Sequence, residues 1–280
     1  MRYGRTRSPM KPVCLVLLLF AMQMAQAQAQ LQEFMGVVYP NRDLTLSLGV
    51  SGLIASRDAS IGQRVTEGEQ LLRLDAEIQA TEVQRRRVIF QDDSGLKAEE
   101  ARVEILERLY RDAQRLYEDV GSISGQEVSQ LRMEYVTAQG RFEQLRGEKQ
   151  RQELEYQMAQ REHAMRTLHA PIDGVVTELE LDVGEWTDPG ETALRLVDAS
   201  SCELRVSVNE VVAYQLEVGM ALPVYIEGLP GGEPRDGTIT FVSAVADAAS
   251  GLVEVRVGFP NDDLAVRPGS RGRILLETLQ

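Results

Sequence analysis

Hydrophobic positions recur along this chain with two periods, and the switch from one to the other marks its parts. From Asp75, an N-cap residue type, to about Val120, the residues Ile89, Leu96, Val103, Tyr110 and Tyr117 fall every seven positions, with Leu106, Ala113 and Val120 as the companion set. Two apolar positions per heptad make the seam of a coiled coil. Gly121-Ser122-Ile123 interrupts it. Ser124-Gly125-Gln126-Glu127 then reads as a capping box, in which the Ser oxygen and the Glu carboxylate each satisfy an orphan amide of the next helix. A second seam follows: Val128, Tyr135, Phe142 and Tyr156, with Leu131, Ala138, Leu145 and Ala159. Residues 76–167 hold no proline and predict an antiparallel helical hairpin. Limbs of roughly 44 residues would reach about 65 Å. Both seams weaken at the same distance from the turn, at Asp92-Asp93-Ser94-Gly95 and at Gly147-Glu148-Lys149-Gln150-Arg151-Gln152. Acidic residues are expected opposite Lys149 and Arg151, in either a polar break of the coiled coil or a hinge.

On both sides of the hairpin the period falls to two. Leu44-Thr45-Leu46-Ser47-Leu48 alternates as a half-buried strand, after Phe34, Val37, Val38 and Tyr39. Residues 52–75 and 174–198 then share a pattern: Gly52, Gly62 and Gly68 stand at the same intervals, ten and six, as Gly174, Gly184 and Gly190. Glycine at fixed spacing among leucine and β-branched residues predicts tight turns with positive φ between short strands. The two half-motifs are expected to pair into one β-domain that the hairpin splits. Residues 199–280 alternate again in short runs, Glu203–Val208, Leu222–Ile226, Gly237–Val242, Val253–Val257 and Gly272–Leu276, separated by Gly, Pro, Asn and Asp. That is the pattern of a small antiparallel β-barrel, with a short helix from Asn209 to Leu216.

The first 29 residues read as a processing segment. Arg2, Arg5, Arg7 and Lys11 form a basic region, Val13–Met22 an apolar one, and Ala25-Gln26-Ala27 or Ala27-Gln28-Ala29 a small-x-small cleavage site. A run of ten falls short of the roughly 20 apolar residues that span a bilayer, so a cleaved signal and an exported protein are expected. Cys14 lacks the small-residue context of a lipidated cysteine, which argues against a lipoprotein. Cys202 is then the one cysteine left, with no intramolecular disulfide to form. The chain has 30 basic and 43 acidic residues, and without the leader the balance is about −17. Nucleic acid and anionic lipid are poor partners for such a field.

Candidate chemistry is sparse. The sequence has no phosphate-binding loop and no metal-spaced Cys/His cluster, and its imidazoles are His163 and His169. Met133, Met158 and Met165 sit at scattered helical positions that suit packing better than soft-metal binding. No catalytic residue, metal or cofactor is expected. The half-motifs resemble the two halves of the lipoyl/biotinyl carrier fold, but a carrier needs a lysine at the joint between its halves. Here the helical insertion occupies that joint, and the lysines beyond the leader, Lys97 and Lys149, lie within the hairpin.

The whole arrangement resembles the periplasmic adaptor family, also called membrane fusion proteins or haemolysin-D-type adaptors, from about residue 33 to 278. Leu168-His169-Ala170-Pro171-Ile172-Asp173-Gly174-Val175-Val176 is similar to the family's I-x-A-P-x-D-G-x-V strand, and Asn261–Gly269 to its N-x-x-x-x-L-R-P-G barrel motif. The resemblance implies an α+β, elongated, multi-domain chain: signal peptide 1–29, a lipoyl-like barrel-sandwich domain from 33–75 and 168–198, an α-helical hairpin 76–167, and a β-barrel 199–280, with no membrane-proximal domain. It further implies a non-enzymatic periplasmic adaptor that self-associates into a ring, trimer or hexamer, and links an inner-membrane efflux transporter to an outer-membrane channel. A resistance-nodulation-division (RND) transporter is favoured. The alternatives are an ATP-driven exporter, or a stand-alone periplasmic coiled-coil scaffold or binding protein. Channel docking falls to the hairpin tip: Leu116, Gly121, Ser122, Ile123 and Ser124. The tip carries one more residue between Leu and Ser than the family's R-L-Y-E-x-G-x-I-S. Ala249-Ser250-Gly251 and Ser270 also depart from the barrel pattern.

Overall fold

A computed structural model describes residues 30–229 and 231–278. The expected signal peptide, residues 1–29, and the reading of Cys14 lie outside the described residues. The chain folds into two compact units, Leu44–Leu196 and a second made of residues 30–43 and 197–278. Among the described residues no helix is long and apolar enough to cross a membrane.

The first unit is a sandwich with pseudo-twofold symmetry, and the backbone bonds around the repeated glycines show it. Gly62 N–H donates to Val176 O and Gly184 N–H to Ile54 O; Gly68 N–H donates to Ala170 O and Gly190 N–H to Leu48 O. Each half therefore closes its turns on the other half. The four glycines have φ between 83° and 91°, which an L side chain rarely adopts. Side chains repeat the symmetry. Glu69 accepts from Thr66 N at 2.9 Å, and Glu191 from Asp188 N at 3.0 Å.

Strands β2 (Gly52–Arg57), β3 (Arg64–Val65) and β4 (Gln70–Leu74) come from the first half-motif; β6 (Gly174–Leu179), β7 (Trp186–Thr187) and the start of β8 (Thr192–Asn209) come from the second. β3 pairs with β6 and β2 with β7, both antiparallel. β5 (Thr167–His169) completes a four-stranded sheet in the order β5-β4-β2-β7. The fold class is thus α+β with two interlocked half-motifs around buried Ile54, Val65, Leu71, Leu72, Leu74, Val176, Leu194 and Leu196.

The hairpin leaves the sandwich between β4 and β5, where Leu74 N–H donates to Arg166 O at 2.8 Å. It comprises α1 (Glu77–Gln91), α2 (Ser94–Asp119) and α3 (Gly125–Ala164). The companion positions Leu106, Ala113, Ala138 and Ala159 are buried in the seam, and Tyr110 stacks on Tyr135 at 6.2 Å.

Three local expectations need correction here. Asp75 is not the N-cap: Ala76 holds that position, and the Asp75 carboxylate accepts from Glu77 N at 3.1 Å. The outgoing limb is two helices rather than one, broken at Asp92-Asp93, whereas the return limb runs unbroken through Gly147. At the break the seam advances by one residue, so that Phe90 rather than Ile89 faces the return limb and stacks on Tyr156 at 5.7 Å. As expected, acidic residues lie opposite Lys149: it donates to the backbone carbonyls of Phe90 and Asp92. Hydrogen bonds from Ser94 and Lys97 lower the pKa of the Asp92 and Asp93 carboxyls respectively, and the Lys149 charge lowers both further.

The second unit is a β-barrel. Its strands run in the order β1-β12-β9-β10-β11-β8, with β1 Gln30–Ser47, β9 Ala221–Ile226, β10 Arg235–Ala246, β11 Leu252–Pro260 and β12 Arg271–Thr278. Alternate residues of β8 and β11, from Leu204 to Val208 and from Val253 to Phe259, fill the core with Val224, Ile239 and Ile274. Asn209 caps the short α4 (Glu210–Ala213) by accepting from Val212 N at 2.9 Å. Residues 33–43, grouped with the sandwich by sequence, belong to the barrel. From Gln30 to Val37, β1 pairs with β12, burying Phe34 in the barrel core. Alternation shows which face of a strand is buried, but not which strand it joins.

Candidate functional site

The hairpin tip is built by the end of one helix and the start of the next. Helix α2 stops because Gly121 takes φ +61°, the left-handed conformation that ends helices at low steric cost. Ser122 N–H then returns to Leu116 O at 3.3 Å. Helix α3 starts at Ser124, whose extended backbone places its Oγ to accept from Glu127 N at 3.2 Å. Ser129 Oγ donates to Gly125 O at 2.8 Å and adds to the first turn. The loop is thereby fixed on both sides by local bonds.

The sequence-predicted residues lie together, on unlike surfaces. Leu116 is exposed on the last turns of α2, Ile123 is half-buried, and Gly121, Ser122 and Ser124 are exposed. Gly121 has open space where a Cβ would stand. Gly125 has Tyr117 alongside, its hydroxyl 3.5 Å from a hypothetical Cβ. Val120 and Tyr117 were placed in the seam by their heptad positions. Val120 is 70% exposed and Tyr117 49% exposed, so both contribute apolar surface to the tip. The seam pattern hid them, because a heptad continues in sequence even where the partner helix has turned away.

Charge at the tip is acidic. Glu118 and Asp119 sit in the last turn of α2, where the helix dipole disfavours anions, and Glu127 sits in the first turn of α3, where it favours them. Arg115 pairs with Asp112 along the same helix. Such a surface, with small residues at its centre and acids around it, is suited to contact rather than to chemistry. The remaining residues weighed in the sequence lie elsewhere: His169 is exposed on β5 opposite Gln70, and His163 is half-buried in the last turn of α3. Among the described residues no group of three His, Cys, Asp or Glu is placed to hold a metal ion.

Comparison with known proteins places this geometry in a family. The family described as RND MFP, barrel-sandwich hybrid domain, matches residues 42–199. The cobalt-zinc-cadmium resistance protein CzcB of Cupriavidus metallidurans is 25% identical over 254 residues, which is 88% of this chain and 44% of that protein. An uncharacterized protein of Haemophilus influenzae is 24% identical over 246 residues, 87% of this chain and 57% of the relative. The chain spans about half the length of these curated relatives. The crystal structure of MacA from Actinobacillus actinomycetemcomitans superimposes with a TM-score of 0.71 at 16% identity, over 90% of this chain and 80% of MacA, which establishes likeness of fold. With the match covering more than half of the chain, on the unit that carries the hairpin, this protein belongs to the RND membrane fusion protein family through its barrel-sandwich hybrid domain.

Proposed function

We infer that this chain is a periplasmic adaptor subunit of an RND-type efflux system, joining an inner-membrane transporter to an outer-membrane channel and sealing the path between them. The observation that carries this reading is the two-limbed helical hairpin inserted between the halves of an RND membrane fusion protein sandwich. Its return helix alone spans 40 residues, about 60 Å of reach. The action is mechanical. Several copies pack side by side, trimer or hexamer, with the tip residues Leu116, Gly121, Ser122, Ile123 and Ser124 against the channel. Exposed Ile105, Leu109 and Leu116 on α2 give the hairpin apolar surface beyond its own seam, which supports lateral packing. The exposed small residues of the tip loop support close approach of a partner backbone.

The test is Ser122→Arg, in cells lacking the native copy. Ser122 has an ordinary backbone conformation and leaves the Ser124 cap intact, so the variant should accumulate in the periplasm with unchanged helicity, co-purify with the transporter and fail to restore export. Gly121→Arg is the less clean partner variant, because a side chain at φ +61° costs about 1–2 kcal/mol. Full restoration of export by both would remove the tip as the docking surface. Failure of the wild-type chain to co-purify with any transporter would favour a stand-alone scaffold.

A further inference from the structure

Lysine is scarce in this chain, and Lys97 and Lys149, the two among the described residues, meet at the same place. Lys97 pairs with Asp93 at 2.8 Å. Lys149 reaches across from α3 to donate to Phe90 O and, at 2.8 Å, to Asp92 O, with its ammonium 5.2 Å from the centre of the Phe90 ring. These bonds replace those of a continuous helix. In an unbroken limb Ser94 N–H would donate to Phe90 O. Instead Ser94 N–H donates to the Asp92 carboxylate at 3.1 Å, and Lys149 takes the vacated carbonyl. A compact ammonium with three donors suits two carbonyls, where a planar guanidinium suits a carboxylate.

The seam offers a second, independent sign. Ile89 and Leu96 stand seven residues apart, the spacing of one continuous helix, yet the folded limb turns Phe90 inward and leaves Ile89 36% exposed. A one-residue step corresponds to about 100° of rotation around the limb. Both registers place a large apolar side chain against the return limb. On that limb Gly147, two residues from Lys149, is a weak helix former in a helix that stays continuous.

We propose that the outgoing limb is a two-state joint: a broken form with Phe90 inward, held by Lys149, and a continuous-helix form with Ile89 inward, held by the Ser94-to-Phe90 backbone bond. The joint changes the twist and aim of everything beyond residue 93. Its use in aiming the tip rests on the docking role proposed above, but the joint itself does not.

The experiment is Lys149→Met in the full chain. Methionine keeps an unbranched side chain and helix propensity, but cannot donate to a carbonyl. Amide hydrogen exchange is followed by mass spectrometry in the peptide spanning residues 92–97, where the first-turn amides of α2 gain helical partners if the limb fuses. Exchange there is expected to slow by about tenfold or more, with far-ultraviolet helicity held or raised. In a chain with Cys14 and Cys202 replaced by Ala, maleimide labelling of Ile89→Cys is expected to slow in the Lys149→Met background as that position turns inward. The proposal stands only if both move in this sense. Unchanged or faster exchange would show a frayed or fixed break, and labelling at the original rate would show that the register does not shift; either result overturns it. Neither measurement depends on export, so the joint can stand while the Ser122→Arg test fails, and the reverse.

Discussion

Asn261 and Val266 exchange two hydrogen bonds through the asparagine side chain: Oδ1 accepts from Val266 N at 3.0 Å, and Nδ2 donates to Val266 O at 2.9 Å. The amide thus acts as one rung of a β-ladder inside the loop between β11 and β12. Nδ2 also donates to Ala199 O at 2.8 Å, and the side chain is fully buried. The barrel motif noticed in the sequence therefore has a structural purpose, which is to tie the β11–β12 loop to the middle of β8, alongside the backbone bond from Asn261 N–H to Ser200 O at 2.8 Å.

Asn261→Ala should accordingly destabilise the barrel by about 2–4 kcal/mol, because it strands the buried N–H and C=O of Val266 together and also removes the bond to the half-buried Ala199 carbonyl. Asn261→Leu should do no better, since apolar volume satisfies none of them. Urea midpoints of the purified chain check this. A shift of under half a kcal/mol would mean that water enters and replaces the amide.

Gly36 is required by close approach rather than by backbone freedom. A Cβ there would stand 2.0 Å from Arg205 O and 2.7 Å from Val206 Cγ1, where β1 lies against β8. Gly36→Ala should cost about 1–3 kcal/mol by overpacking. Gly49, with nothing within 4 Å of its Cβ position, is the control. Gly49→Ala is expected to stay within about 0.5 kcal/mol of wild type by thermal unfolding.

Burial pushes the Cys202 thiol up to about 11 from an ordinary 9.0, with Asp198 adding to the rise and the Asn261 amide opposing it. A raised thiol pKa means that the folded state holds the proton longer than the unfolded state does. The resulting stability is complete below pH 9 and is lost as pH climbs towards 11. Two outcomes follow. Iodoacetamide at pH 8 should leave the native protein unmodified and alkylate it in urea. The fall in stability between pH 9 and 11 should be shallower in Cys202→Ala than in wild type.

Because β4 and β5 already pair antiparallel, with Arg73 opposite Thr167, the hairpin enters and leaves at adjacent points. Arg166 Nη1 also donates to Asp75 O at 2.9 Å. Joining Asp75 to Arg166 through a Gly/Ser turn of about three residues should give a soluble protein with dispersed amide protons and β-type circular dichroism. A product without dispersion would show that the sandwich needs the hairpin to fold.

What the sequence alone determined is what local physics controls. Glycine spacing set the turns of the sandwich, because positive φ is a property of single residues, and Gly62, Gly68, Gly184 and Gly190 all adopt it. Heptads set the hairpin, and the Gly121 and Ser124 pair set where it turns. Strand alternation sorted inward from outward residues in the barrel, as at Val253, Val255 and Val257. The tertiary structure decided what depends on distant partners. Phe90 rather than Ile89 faces inward in contact with Lys149 and Tyr156, residues far along the chain that no local pattern brings to it. Whether residues 33–43 joined the sandwich or the barrel was settled by β12, more than two hundred residues away in sequence, because an alternating strand presents the same edge to any partner that can bond it.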